Sequence, residues 1–352
     1  MSDFIQLHLL TSYPPSNPNR DDLGRPKTAV MGGATRLRIS SQSLKRAWRT
    51  SDVFQEALAG HVGTRTKEMG KRIHKRLIDK GASESNAKKW AQVVAGQFGK
   101  LKGAKKEEPL LDLEIEQLAH FSPEEERAIE TLADRLAAEK RQPMSDELQL
   151  LRQRHTAADI ALFGRMLADA PRFNTEAAAQ VAHAITVHRV QVEDDFFTAV
   201  DDLNTGEENV GAGHMGESEF AAGVFYLYLC IDRASLRENL SGDGTLANKA
   251  LAALTEAAAT VAPSGKRNSY GSHVRASYLL AERGRQQPRS LAVAFLKPVT
   301  GREDTLSEAI TALEATREAM DHAYGACADA RRVMNTLAGE GSLKEILTFI
   351  TE

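Results

Sequence analysis

The chain has 352 residues, of which 42% are hydrophobic and 26% are charged, and its formal net charge at pH 7 is −3. It contains no apolar run of about 18 residues and begins without the basic and apolar regions of a secretory signal, so a cytoplasmic protein without a membrane span is predicted. Its only cysteines are Cys230 and Cys327. Their isolation argues against a disulfide scaffold or a cysteine-rich zinc site.

The charge is unevenly distributed along the chain. Residues 61–106 carry thirteen Lys and Arg against three Asp and Glu, whereas residues 107–150 carry four against thirteen. A basic segment of this kind can present a positive stripe to a polyanion such as nucleic acid, although ordinary solvated helices give the same pattern.

The first predicted elements are two strands separated by a long loop. Phe4–Leu10 alternates as a strand with one buried face, and a Pro- and Asn-rich loop then runs to Lys27 and exposes Arg20. Arg36–Ile39 is the second strand, and its alternation places both arginines on the open face.

A helix is predicted from Ser40 or Ser41, either of which is a suitable N-cap, to about Leu58. Its polar side carries an amide and three cations: Gln42, Lys45, Arg46 and Arg49. Free backbone N–H groups, the positive end of a helix, hydroxyls and cations together favour phosphate as a ligand. An amphipathic helix with a solvated basic face would have the same sequence pattern.

Residues 59–181 predict a helical insertion without strands. Four helices are expected, at 65–80, 84–99, 122–140 and 146–170. The third has a clear start, because Ser122 is an N-cap followed by proline and two acids. Met166 near the end of the fourth is of interest because a flexible thioether can pack against a base.

The remainder of the chain alternates strands and helices. Strands are predicted near 183–192, at 223–231 and at 290–299, and helices at 248–261 and 305–337. A loop of about 25 residues separates the first two of these strands, and loops of that length are usually functional or disordered. The order strand, helix, strand, strand, helix, strand is typical of an RRM-like (ferredoxin-like) α+β fold.

Local motifs for catalysis or metal binding are weak. The G-x-G-x-x-G match at 211–216 lacks the preceding strand and following helix of a dinucleotide site. The spacing of the acids and histidines near the long loop does not place two metal ligands on one face, so no metal or cofactor is predicted. The residues considered were Asp194, Asp195, Asp201, Asp202, His183 and His188.

Two aromatic residues, Phe196 and Phe197, lie at the start of the long loop. Exposed rings next to a basic groove would stack on bases. The alternative is that one or both rings anchor the base of the loop in the core.

The sequence resembles the CasC-type backbone subunit of the type I-E CRISPR surveillance complex, Cascade. The resemblance extends to about residue 232 and is carried by N-R-D-D at 19–22, G-G-x-x-R-L-R-I-S-S-Q-S-L-K-R-A-x-R at 32–49, D-I-A-L-F-G-R-M at 159–166, A-H-A-I-T-V-H-R-V at 182–190, F-F-T-A-V-D-D-L at 196–203 and F-A-A-G-V-F-Y-L-Y at 220–228.

The resemblance implies an RRM-like palm formed by 1–58 and 182–352, helical fingers formed by 59–181, and a thumb loop or hairpin at 198–220. It implies no enzymatic activity. The implied partners are a CRISPR RNA, neighbouring copies of the chain in head-to-tail order, other Cascade subunits, and a target DNA strand through guide pairing. The implied RNA-binding residues are Arg20, Lys27, Ser40, Gln42, Lys45, Arg46, Arg49, Met166, Phe196, Phe197 and Thr198.

Two other functions are compatible with the sequence. A metal-dependent RNA-cleaving nuclease on an RRM-like fold would use a loop aspartate, for which Asp22, Asp201 and Asp202 are the candidates. A purely structural filament protein would bind no nucleic acid.

Overall fold

The computed structural model describes residues 3–199, 214–301 and 304–352. In these ranges the strands are β1 Phe4–Ser16, β2 Thr28–Met31, β3 Ala34–Ile39, β4 Thr64–Thr66, β5 Ala119–Phe121, β6 Ala179–Val181, β7 Ala184–Thr186, β8 Glu193–Ala199, β9 His214–Asp232, β10 Ala276–Gly284 and β11 Ala330–Asn335. The α-helices are α1 Ser41–Arg49, α2 Asp52–Ala57, α3 Met69–Asp79, α4 Glu84–Ala95, α5 Pro123–Glu139, α6 Ala158–Phe163, α7 Arg233–Asn239, α8 Gly244–Thr260, α9 Arg267–Tyr270, α10 Thr305–Tyr324 and α11 Leu343–Thr351. Short 3₁₀ helices lie at Leu111–Leu113, Pro171–Phe173 and Ala292–Phe295.

The chain divides into two compact units. The first, here called the sheet unit, comprises residues 1–54, 180–231 and 251–352. The second, the helical unit, comprises residues 55–179 and 232–250.

The sheet unit is built on a large sheet with the strand order β11-β10-β1-β9-β7-β3-β2, to which β6 and β8 add by pairing with β9. β1 and β10 are antiparallel, from Phe4 opposite Gly284 to Leu10 opposite Tyr278. One core contains Tyr226, Tyr278 and Phe295 together with apolar residues of α10. The chain is therefore a mixed α and β protein with a large antiparallel sheet.

Three elements of the sheet unit differ from the sequence-based prediction. β1 continues to Ser16, so the first third of the predicted loop is strand. The predicted strand at 290–299 is wrong, since this segment has a short 3₁₀ helix and one isolated bridge between Val299 and His188. The sheet instead uses Ala276–Gly284. Part of the predicted helical region 305–337 is the edge strand β11.

Arg36 was expected on the open face of β3, and this expectation is wrong. Its side chain is fully buried, and it donates hydrogen bonds to the carbonyl oxygens of Thr186 (2.9 Å) and Phe295 (2.8 Å). Burial lowers the pKa of this guanidinium. Arg36 is thus a structural residue that ties β3 to its neighbours, because a buried cation needs such partners.

The helical unit packs α3, α4 and α5 around a core that includes Trp90, Phe121 and Leu136. α5 begins as predicted, with Ser122 and Glu125 forming a capping box. The prediction of a unit without strands is wrong, because β4 and β5 form a two-stranded sheet.

The predicted helices at both ends of this region are shorter than expected. The helix expected to run to Leu58 stops at Arg49 and resumes as α2. Of the helix predicted at 146–170, only α6 forms. Gly164, with φ of +80°, ends α6, and Met166 consequently lies on a loop instead of a helix.

The segment expected to be a long loop is largely a β-hairpin. β8 pairs with the start of β9 from Glu193 opposite Phe220 to Ala199 opposite His214. Residues 200–213, including the candidate residues Asp201 and Asp202 and the first half of the G-x-G-x-x-G match, lie outside the described residues.

Candidate nucleic-acid interface

The start of α1 is fixed by a polar cap. Ser40 is the N-cap, and its side chain accepts a hydrogen bond from the N–H of Ser43 at 3.3 Å. The Asn19 side chain accepts from the N–H of Ser40 at 2.8 Å, and the N–H of Lys27 donates to the carbonyl of Asn19 at 2.9 Å. The loop that carries Arg20 and Lys27 is therefore held against the start of the helix.

α1 presents the four polar side chains predicted for it. Leu44 and Trp48 are buried, which turns the opposite side of the helix outward. Gln42 and Arg46 are exposed, whereas Lys45 and Arg49 are half-buried. Partial burial lowers the pKa of Lys45, because burial removes water from around the charged ammonium group. A bound anion could replace that lost hydration.

Two residues that sequence reasoning did not assign to RNA binding, Arg38 and His183, join this site. Antiparallel pairing of β3 with β7 brings them together, with Arg38 opposite Ile185 and Ile39 opposite Ala184. The Arg38 guanidinium lies 3.2 Å from Nδ1 of His183, and the N–H of Ser41 donates to the same nitrogen at 3.4 Å.

The pKa of His183 is affected by the positive charges around it. Partial burial and the neighbouring charges of Arg38 and Lys27 lower the pKa of its imidazole. Lys27 and Arg38, together with His183 and the start of α1, therefore form a positive cluster, because both cations act on the same imidazole. Such a cluster suits a phosphate.

A groove next to this cluster is lined by Arg20, Arg46 and the turn at 263–265. Gly265 is required there, because a Cβ at this position would lie 2.4 Å from the carbonyl oxygen of Pro18. Asp22 also lines the groove and is exposed. This turn is a further segment of the site, which sequence reasoning did not assign to RNA binding.

The β8–β9 hairpin exposes aromatic rings. The exposed fraction is 61% for Phe196 and 42% for Phe197, and Thr198 is also exposed. The ring of Phe197 lies over Gly216, where a Cβ would come within 2.5 Å of it. The core-anchor alternative for these rings is thus disfavoured.

The same hairpin is acidic. Asp194 pairs with Glu219, and Phe196 pairs with Glu217. Because carboxylates repel phosphate, this surface suits contact with the uncharged faces of bases better than contact with the backbone.

Met166 is located in the helical unit, where 76% of its side chain is exposed. Its side chain is therefore accessible for contact with another molecule, unlike an apolar side chain that is buried in the core.

The basic segment 61–106 does not form the positive stripe that its composition suggests. The acidic segment that follows supplies its counter-charges: Lys71 and Lys102 bind Glu114, Arg72 and Arg76 bind Glu130, Lys88 binds Asp112, and Lys100 binds Glu116. Most of these pairs are partly exposed and contribute little to stability. Their effect is to neutralise the helical unit locally.

Groups for metal chemistry are not assembled in the ranges that the structure describes, where no three His, Cys, Asp or Glu side chains could share an ion. His188 illustrates why: its Nδ1 donates to the carbonyl of Arg189 at 2.8 Å, and its Nε2 accepts from the N–H of Val224 at 3.2 Å. Both ring nitrogens are therefore occupied. Within the same ranges, no helix is long and apolar enough to cross a membrane.

Comparison with known proteins places this arrangement in a family. No curated protein matches the chain significantly in sequence. A chain from a solved structure described as "CRISPR RNA-guided surveillance complex, pre-nicking" is similar over 99% of both chains, with a TM-score of 0.87 and 31% sequence identity. A second, from a "CRISPR RNA-guided surveillance complex", also covers 99% of both chains, with a TM-score of 0.76 and 27% identity. The family model described as "CT1975-like protein" matches residues 5–347, and the chain therefore belongs to the CT1975-like protein family.

Proposed function

We propose that this chain is a non-catalytic RNA-binding backbone subunit of a type I-E Cascade complex, which polymerises along the spacer of a CRISPR RNA. The observation that carries the proposal is the positive cluster at the start of α1, where Lys27, Arg38 and His183 adjoin a capped helix start. Cations beside the positive end of a helix are the chemistry that binds a phosphate backbone.

The sheet supports an RRM-like palm. The strands β10-β1-β9-β7 are neighbours in that order, and along the chain they alternate with α1 and α8 as in a ferredoxin-like fold. We assign the palm to 1–58 and 182–352, the fingers to 59–181 and the thumb to 198–220.

RNA phosphates would be held by residues at and around α1: Arg20, Lys27, Ser40, Gln42, Lys45, Arg46 and Arg49. Phosphate contact carries no sequence information, which suits a protein that must accept any spacer. It also leaves the base edges free to pair with target DNA.

The exposed rings would act on bases at regular intervals. Phe196 or Phe197, with Thr198, would contact RNA held by a neighbouring copy, and Met166 would pack beside a displaced base. Aromatic stacking on a base contributes about 1–3 kcal/mol without sequence preference, and the carboxylates of the hairpin would keep it away from phosphates.

The experiment that tests this function is purification of the complex from cells with and without a matching CRISPR array. We expect several copies of the chain per RNA of uniform length when the array is present. Protein that assembles equally well without RNA would instead indicate a structural filament and overturn the proposal.

A further inference from the structure

Met166 is an exposed residue between two buried ones. Arg165 is 4% exposed and Leu167 is 3% exposed, whereas Met166 is 76% exposed. An exposed methionine normally has many conformations, because three rotatable bonds separate its methyl group from the backbone. Here the backbone on either side of it is held by specific polar contacts.

The contacts before Met166 are made by Arg165. Its guanidinium forms a fully buried ion pair with Glu125, with an NH1–Oε2 distance of 2.7 Å. It also donates to the carbonyl oxygens of Phe173 (3.1 Å), His120 (3.2 Å) and Arg152 (2.8 Å). The planar fork of arginine can reach all these acceptors at once, which a lysine cannot do.

Glu125 links this anchor to the rest of the helical unit. Besides Arg165, its carboxylate accepts the N–H of Ser122 at 2.8 Å, within the capping box of α5, and the N–H of Arg152 at 2.7 Å. The position of the Arg165 backbone is thereby tied to the start of α5.

The contacts after Met166 are made by Asn174. Its side-chain oxygen accepts the N–H of Leu167 at 2.7 Å. Two backbone hydrogen bonds between Arg165 and Thr175, of 3.0 and 2.9 Å, close the loop that contains Met166. Asn174 is itself exposed, so its contact with Leu167 is not needed to fill the core.

We propose that Arg165, Glu125 and Asn174 are positioning residues that hold Met166 in one place so that it can keep a base displaced. This inference rests on the proposed function. A buried ion pair alone could serve only folding, since removal of one partner leaves an uncompensated charge. Asn174 holds the backbone on the other side of Met166, and its amide is exposed. Because an exposed amide is not needed for the packing of the core, its contact with Leu167 is evidence for positioning of Met166 and not only for folding.

The test uses complexes assembled on a CRISPR RNA in cells, with the RNA bases probed by a reagent that modifies unstacked bases. In the wild type we expect reactive bases at regular intervals, and Met166→Ala should abolish the contrast between these bases and their neighbours. Asn174→Ala and Arg165→Lys should reduce the same contrast while the RNA content is unchanged. Gln153→Ala is the matched control, because Gln153 donates to the carbonyl of Arg172 in the same loop at 3.1 Å but its side chain is not hydrogen-bonded to Arg165 or Leu167.

The outcomes separate the two proposals. An absence of periodic reactivity in the wild type would overturn the proposed base displacement itself. Periodic reactivity that is lost in Met166→Ala but kept in both Asn174→Ala and Arg165→Lys would overturn only the positioning role. Because Arg165→Lys could lower the folded fraction, the melting temperature is measured for each variant, and Asn174→Ala decides the matter when Arg165→Lys does not fold.

Discussion

Replacement of Lys45 and Arg49 by alanine should weaken RNA binding to the same extent for unrelated spacer sequences. The two residues lie one turn apart on α1, and neither contributes to the cap at Ser40 or to the buried positions Leu44 and Trp48. The helix should therefore persist, since alanine has the highest helix propensity. What is lost is two cations on the side of the helix that we assign to phosphate.

The size of the effect follows from counterion release. Each phosphate contact with a single strand contributes about 0.7 to the slope of log affinity against log salt concentration, so two lost contacts should lower that slope by about 1.4. Between about 50 and about 200 mM salt, the difference in affinity between wild type and variant should therefore shrink about sevenfold. Filter binding or fluorescence anisotropy with two unrelated guides, at four or five salt concentrations, measures this.

A matched control removes the same charge elsewhere. Lys249 and Lys344 are exposed lysines outside the candidate interface, and their replacement by alanine should leave the slope unchanged. If the control changed the slope as much as Lys45→Ala with Arg49→Ala does, the assignment of α1 to phosphate binding would be refuted. A changed preference between guides in Lys45→Ala with Arg49→Ala would refute it as well.

Three further predictions concern titration and catalysis. Bound phosphate should raise the lowered pKa of His183, so RNA affinity should rise as the pH falls from about 8 to about 6, and titrations of His183→Gln should lack this rise. Burial and the charge of Arg165 lower the pKa of His155 from 6.5 to about 4; because the unfolded chain takes up a proton that the folded chain excludes, the free energy of unfolding should fall by up to about 3 kcal/mol as the pH drops from about 6.5 to about 4. Urea denaturation over this pH range should show that loss in the wild type and not in His155→Gln. Bound RNA should stay intact with and without magnesium; discrete products that disappear in Asp22→Ala would show a nuclease.

Local signals in the sequence were sufficient for several elements. The N-cap at Ser40 and the capping box at Ser122 depend on residues within one helical turn, and both are present. The exposure of Met166 and Phe196 is likewise as required for the roles assigned to them. The roles themselves stay predictions.

Elements that depend on distant partners could not be predicted. Strand β10 was missed because Glu282 interrupts its apolar pattern, but that carboxylate is buried against Arg289, Arg331 and His8, which come from other segments. Burial of Arg36 likewise depends on carbonyl oxygens far away in the sequence.

The candidate interface shows the same division. The cations of α1 were visible as a helical pattern, whereas Arg38 and His183 meet only through the register between β3 and β7. No spacing rule within a single segment gives that register.

The pairing of β1 with β10 has a consequence for the order of folding during synthesis. Phe4 lies opposite Gly284, so β1 is synthesised long before the strand that pairs with it on that side. Its buried residues 5–10 remain exposed meanwhile, and an unpaired apolar strand is prone to aggregation. We therefore expect truncation before residue 276 to yield insoluble protein, even though the residues proposed to bind RNA would all be present.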